Sequence, residues 1–197
     1  MSEKSRPTGS TAPGDRPDLK ADCEKCFGLC CVVPAFAISA DFAINKKAGQ
    51  ACPRLQSDYR CSIHPKLRQQ GFRGCTVYDC FGAGQKVSQV LFKGQSWRQN
   101  PHTAKQMFEV FPIVRDLHEL LWYLSEALTL QAAHPLQPDL SLALQKTEDL
   151  TNHGPATLLE LDMASHHQEV NDLLLRVSEL VRADVRSEKK NYRGADL

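Results

Sequence analysis

Residues 23–31 read CEKCFGLCC: four cysteines fall within nine positions, and the last two are adjacent. Four more, Cys52, Cys61, Cys75 and Cys80, follow before residue 81, and the chain from there to Leu197 has none. How these eight thiols are used decides the fold of the first part of the chain. An even cysteine count has two explanations, a disulfide framework in an oxidising compartment or thiolate ligation in a reducing one. The flanking sequence chooses between them. Residues 1–22 are rich in Pro, Ser, Thr and Gly with balanced charge, so they cannot offset the entropy of ordering and are expected to form a disordered tail. They lack the apolar centre of a secretory signal and carry too many acids for a transit peptide. The most apolar run, 27–44, is interrupted by Pro34, Ser39 and Asp41, which excludes a membrane span there. The chain reads as cytoplasmic, and there thiolate ligation of a metal is expected.

The spacing agrees. Cys23 and Cys26 stand in a C-x-x-C, which lets a tight turn aim both sulfurs at one ion. Cys30 and Cys31 follow three residues later, with Gly28 relaxing the turn between. Adjacent side chains of an extended chain point apart, so these two either serve separate centres or one is a buried neighbour. Around Cys61 the run RCSIHPKLR adds His64 as a possible nitrogen ligand. Residues 23–80 carry eight Lys/Arg against four Asp/Glu, and these bases are expected to depress the thiol pKa values. For any one position, a plain buried cysteine is the competing reading. Zinc is the expected metal, in up to two tetrahedral sites; an iron–sulfur cluster with leftover thiols is the alternative.

At these residues the chain resembles the YkgJ-type cysteine-cluster family, through the C-x-x-C-x-x-x-C-C start, then CPRL, RCSIH and C-x4-C. The resemblance covers about residues 23–80. It implies a zinc- or iron-chelating domain and marks Cys23, Cys26, Cys30, Cys31, Cys52, Cys61, Cys75 and Cys80 as ligands. The chain departs from the family after Cys61, where LRQQGFRGC stands in place of an Arg-Pro pair before the next cysteine. A bound metal is implied; a reaction is not.

Residues 81–100, FGAGQKVSQVLFKGQSWRQN, are expected to form a short β-hairpin with 87–92 extended and Lys93-Gly94 at the turn. The GAGQK piece lacks the spacing of a phosphate loop. From Asn100, a plausible N-cap before Pro101, the pattern becomes helical, with Met107, Val110, Val114, Leu117, Leu121 and Leu124 at helical spacing. Pro112 should kink or break this helix. A second helix is expected over 139–150 and a third over 155–185. His118-Glu119 opens like a zinc-protease motif, but Trp122 occupies the place of the second histidine. His166 and His167 lie with Asp162 and Glu169 at helical spacing; without a Glu-x-x-His pair they read as a solvated polar face. Trp97, Trp122 and Tyr123 are expected in the core.

The fold class that follows is mainly α. An irregular cysteine-rich metal-binding subdomain with a short hairpin (23–100) packs on a helical bundle (101–187), ahead of a linker and one repeat unit (188–197). That unit is the closing RGADL of NYRGADL, which has the form of a pentapeptide repeat. With FGLCC, GCTVYDCFGAGQKVSQ and LHELLWYL, it makes the chain from about residue 20 resemble the amino-terminal region of an actinobacterial-type pentapeptide-repeat protein. One unit cannot bury a β-helix ladder, so no repeat solenoid and no DNA-mimic surface are expected. The net charge of +1 gives no sign of a nucleic-acid or membrane partner. Residues 101–197 carry nine bases and fifteen acids, so docking of the two halves is expected to rest on apolar contacts around Trp97 and residues 81–100. The expected function is a metal-binding module whose bundle serves as an interaction or scaffold domain for a protein partner. The alternative is an iron–sulfur enzyme of electron transfer or radical chemistry, for which the sequence names no acid/base pair and no cofactor loop.

Overall fold

The computed structural model describes residues 16–186. Most of the expected tail, and the linker with its RGADL unit, lie outside the described residues. The last seven residues assigned to the tail do not behave as one. Residues 17–19 form a 3-10 turn that buries Leu19, and the Asp22 amide donates to Gln85 Oε1 at 3.0 Å. Gln85 Nε2 returns a bond to the Lys20 carbonyl at 2.7 Å, and Arg16 pairs with Glu148 at 2.7 Å. One apolar side chain and an ion pair to the bundle are enough to anchor this short segment.

The cysteine-rich part is mostly loop. Its helices are short: α1, Leu29–Val32; α2, Arg73–Val77; and α3, Ala83–Gln85, which runs on as a π-helix over Lys86–Leu91. No strand forms among the described residues, where extended pairing amounts to the isolated bridges Phe36↔Lys46 and Leu55↔Cys61. The hairpin expected over 81–100 is therefore a helix. Lys93 and Gly94 do take the two left-handed conformations of a hairpin turn, with φ of 51° and 76°. The same pair of conformations also closes a helix. Here the Gly94 amide reaches back to the Ser88 carbonyl at 2.9 Å, and Phe92 to Val87 at 3.0 Å. Burial of Val87 and Ser88, adjacent positions that a half-exposed strand would send to opposite faces, favours the helix.

The bundle follows. Helix α4 spans Pro101–Thr129, with the Asn100 side chain accepting from the His102 amide at 2.9 Å. It continues through Pro112 without a break. Pro112 lies on the exposed face, where water can take the bond that its missing N–H gives up. A 3-10 turn, Gln131–Leu136, leads into α5, Gln137–Thr151. The expected third helix is two, α6 (Pro155–Leu159) and α7 (Met163–Arg186). Asp162 makes the division by capping α7: its carboxylate accepts from the Ser165 amide at 3.1 Å and the Ser165 hydroxyl at 2.6 Å.

Two apolar cores lie along α4. The first joins its amino-terminal half (Met107, Val110, Val114, Leu117) to Leu29, Ala83, Val87 and Leu158. The second joins Leu120, Leu124 and Ala127 to Leu136, Leu140, Val170, Leu173 and Val177. No helix is long and apolar enough to cross a membrane among the described residues.

Candidate metal centre

The site is built on two turns of identical sequence, Cys26-Phe27-Gly28 and Cys80-Phe81-Gly82. Each glycine is left-handed, with φ of 69° and 75°, and each caps a short helix, α1 and α3. A side chain would be strained at either position and would also collide with Leu55 at Gly28 and with the Asp18 carbonyl at Gly82. This geometry returns backbone amides to the sulfur. Gly28 and Leu29 donate to Cys26, while Gly82 and Gly84 donate to Cys80. Each Phe carbonyl is held from outside the turn. Trp97 Nε1 donates to Phe27 O at 2.8 Å, and His118 Nδ1 lies 2.6 Å from Phe81 O. A carbonyl can only accept, so His118 carries its proton on Nδ1.

Gly84 has a different reason to be glycine. A Cβ there would lie 2.6 Å from Cys26 Sγ and 3.9 Å from Cys80 Sγ. The two sulfurs, fifty-four residues apart in sequence, thus both lie over the bare face of α3. The repeated Cys-Phe-Gly is the sequence signal that would have paired them.

The other thiols gather around this pair. Cys23 opens a 3-10 turn, Cys23–Lys25, that is capped by Asp22. Cys30 and Cys31 sit on α1, where successive side chains diverge by about 100°. Their sulfurs are 3.9 Å apart. The Cys52 amide donates to the Cys31 carbonyl at 2.9 Å, and Cys61 forms a side-chain hydrogen bond with Cys31 while accepting from the Ile63 amide. Cys75, on α2, lies within electrostatic reach of Cys30, Cys52 and Cys61. His64 is exposed on its own 3-10 turn and is not among the leading groups acting on any thiol. Every cysteine is a free thiol.

At Cys23, Cys26, Cys30, Cys61, Cys75 and Cys80 the expected lowering of thiol pKa is reversed. Burial pushes Cys26 up to about 11, and burial together with the charges of Cys30, Cys52 and Cys61 does the same for Cys75. Burial is also the first cause for Cys23, Cys61 and Cys80; for Cys30 it is the hydrogen bond with Cys31, then burial. Most of the region's bases sit at the surface, too far into water to win against desolvation and mutual repulsion. Lys46 is the buried exception. Its ammonium donates to the carbonyls of Val32, Lys47 and Gln50 at 2.8, 3.2 and 3.0 Å and acts electrostatically on Cys52, Cys31 and Cys30.

Does this set suit a metal? The donors are soft sulfurs, amides are aimed at four of them, and the bare face of Gly84 lies under two. This is the chemistry of zinc and iron–sulfur sites. Among the described residues, however, no three His, Cys, Asp or Glu side chains close on one point as finished ligands. Protonated thiols have no charge to draw them together; a cation that displaces their protons supplies the pull. The donor set fits, with the last closure left to the ion.

The polar residues of the bundle have structural employment. Asp162 caps α7 and Glu169 pairs with Lys146. His166 is buried rather than solvated, 3.0 Å from Thr147 Oγ1. Of the three aromatics expected in the core, Trp97 is half-buried against it, whereas Trp122 and Tyr123 are exposed, Trp122 leaning on Phe81 with ring centroids 6.0 Å apart.

The chain is similar to the uncharacterized protein YybG of Bacillus subtilis (strain 168), with 55% identity over 172 residues. The match takes in 87% of this chain, which spans about 62% of that relative's length. No family model matches the chain, and no solved structure does.

Proposed function

We propose that the protein is a cytoplasmic thiolate metal-binding module. Its helical bundle serves as the scaffold that carries the module, as part of a pentapeptide-repeat protein. The observation that supports this most is the gathering of cysteines from separate segments around two turns that feed backbone amides to sulfur. Thiols held above their ordinary pKa by desolvation and by one another make poor nucleophiles at neutral pH, but they become ligands when a cation takes their protons. Zinc is the metal we assign, with Cys23, Cys26, Cys30, Cys31, Cys52, Cys61, Cys75 and Cys80 as the donor pool. When bound it supplies folding energy to a loop-rich region, and it calls for no substrate pocket. A protein partner would meet the bundle's outer surface, where Trp122 and Tyr123 stand exposed.

One observation favours a second reading, an iron–sulfur centre for electron transfer or radical chemistry. Soft thiolates from separate segments, with backbone amides directed at sulfur, suit an iron–sulfur cluster as well as zinc. Purification of the full chain without oxygen, followed by metal and sulfide analysis, tests both. Colourless protein with tightly held zinc supports the first reading. Brown protein with iron and acid-labile sulfide replaces it with the second, and metal-free protein overturns both.

A further inference from the structure

We infer that Tyr59 and Arg98 are positioning residues of the metal centre. Together they latch the loop between Cys52 and Cys61 onto the Cys26 turn, and opening of that latch limits how fast metal leaves. This rests on the metal-binding reading above and adds to it the element that holds the donors in place.

The loop closes on itself at its base. The Ser62 amide donates to the Arg54 carbonyl at 2.8 Å beside the Leu55↔Cys61 bridge, and the Gln56 amide donates to the Arg60 carbonyl at 2.9 Å. The tip turns through Tyr59, whose φ is 67°. A bulky residue rarely enters this left-handed region and stays there only where its surroundings hold it. Around Tyr59 they do. Its ring packs against Phe27 and Trp97, with centroids 5.1 and 6.2 Å away. Its hydroxyl shares a hydrogen bond with that of buried Ser96, and the Arg98 guanidinium covers the ring at 4.3 Å.

Arg98 also grips the backbone of the tip. Its Nη1 donates to the Ser57 carbonyl at 2.7 Å and its Nη2 to the Gln56 carbonyl at 2.9 Å. A planar guanidinium fork can hold two adjacent carbonyls at once, which a lysine ammonium cannot do in that geometry. The grip passes to the Cys26 turn by direct packing. A Cβ at Gly28 would lie 2.6 Å from a Leu55 methyl and 3.0 Å from the Tyr59 carbonyl oxygen. Trp97, between Ser96 and Arg98, donates to the Phe27 carbonyl of the same turn. Three consecutive residues ahead of α4 therefore hold the turn and the loop together. Two candidate ligands, Cys52 and Cys61, flank that loop, so opening the latch frees the arms that carry them.

The test uses the full-length protein, loaded with zinc without oxygen, and follows transfer of the zinc to an excess of a chromogenic chelator. Arg98→Ala should load as much zinc as the wild type and release it about tenfold faster, as the loss of two charge-assisted hydrogen bonds requires. Arg98→Lys keeps the charge over Tyr59 and loses the fork, and should fall between the two. Tyr59→Gly separates the latch from the turn. Glycine takes the left-handed conformation without strain, so a role in the turn alone predicts release no faster than in the wild type, whereas the latch predicts faster release. Cobalt-loaded variants should keep the wild-type thiolate-to-cobalt absorbance, because their ligands are unchanged. Wild-type release rates in Arg98→Ala or Tyr59→Gly, or an altered cobalt spectrum, overturn the proposal. Hydrogen exchange of the metal-free protein gives a readout that needs no ion: amides 55–62 should lose protection in Arg98→Ala while 120–127 keep theirs. Unchanged protection at 55–62 removes the latch. A wild type that takes up no metal rejects the metal-binding reading itself, a different failure, and exchange then still decides whether the latch exists.

Discussion

The two cores of this molecule share one helix and differ in what is packed against it. On the second core, α4 meets α5 and α7, elements whose own backbone bonds hold their shape. On the first core, the same helix meets short turns and loops; between α1 and α2 the extended pairing is two isolated bridges. Apolar contact is comparable on both sides, so it cannot be what separates them. The loop side needs a further constraint, and the thiols are placed to receive one from a metal. Residue 100 is also no seam, since the first half of α4 supplies Met107, Val110 and Val114 to the cysteine side.

The largest single-residue effects should come from matched cavities. Leu117→Ala in the first core and Leu140→Ala in the second remove fully buried side chains, and each should cost about 2–5 kcal/mol in urea unfolding. Metal retention should separate them, falling in the first variant and holding in the second. Equal metal loss would mean that the cores are not distinct. Next comes Gly84→Ala. Its Cβ needs space that Cys26 Sγ fills, so stability should fall by about 1–3 kcal/mol, with weaker metal retention. Gly154→Ala, with nothing within 4 Å, is the control and should retain metal as the wild type does.

A smaller and pH-dependent effect is expected at the buried histidines, one on each side. Burial lowers the pKa of both His118 and His166 from the ordinary 6.5. The folded state therefore holds them neutral while the unfolded chain takes up protons below about pH 6.5. Their contribution is complete above that pH and is lost as the pH falls toward and through the folded-state values. His118→Gln and His166→Gln should each flatten the acid side of a thermal-midpoint profile. His118→Gln should in addition loosen the Cys80 turn, at a cost of about 0.5–1.5 kcal/mol for the bond to Phe81. If both variants disturb metal binding alike, His118 is not a specific clamp. The smallest effect belongs to Lys146→Ala, which removes an exposed ion pair with Glu169 and should leave the midpoint where it was.

The two sides were also unequally legible in the sequence. Helical spacing announces α4 and α5 and the Asn100 cap the start of α4, because periodicity and capping are properties of neighbouring residues. The division at Asp162 was missed because apolar spacing resumes beyond it, although its capping bond to Ser165 is equally local. Lys93-Gly94 misled for a physical reason: two left-handed residues close a hairpin or a helix, and burial of Val87 and Ser88 decides which. On the cysteine side, the candidate ligands can be read one by one and their grouping cannot. Grouping depends on the return of residues 52–80 to α1, a tertiary event. The direction of the thiol pKa shifts was misjudged for the same reason, since counting bases along a chain says nothing of burial.

Hydrogen exchange along the full chain, compared with and without metal under reducing conditions, tests the contrast most directly. The account predicts that metal removal strips protection from residues 23–92 and weakens it at 107–117 of α4, while 120–127, α5 and α7 keep theirs. Protection that is unchanged everywhere, or lost equally on both sides, would contradict it.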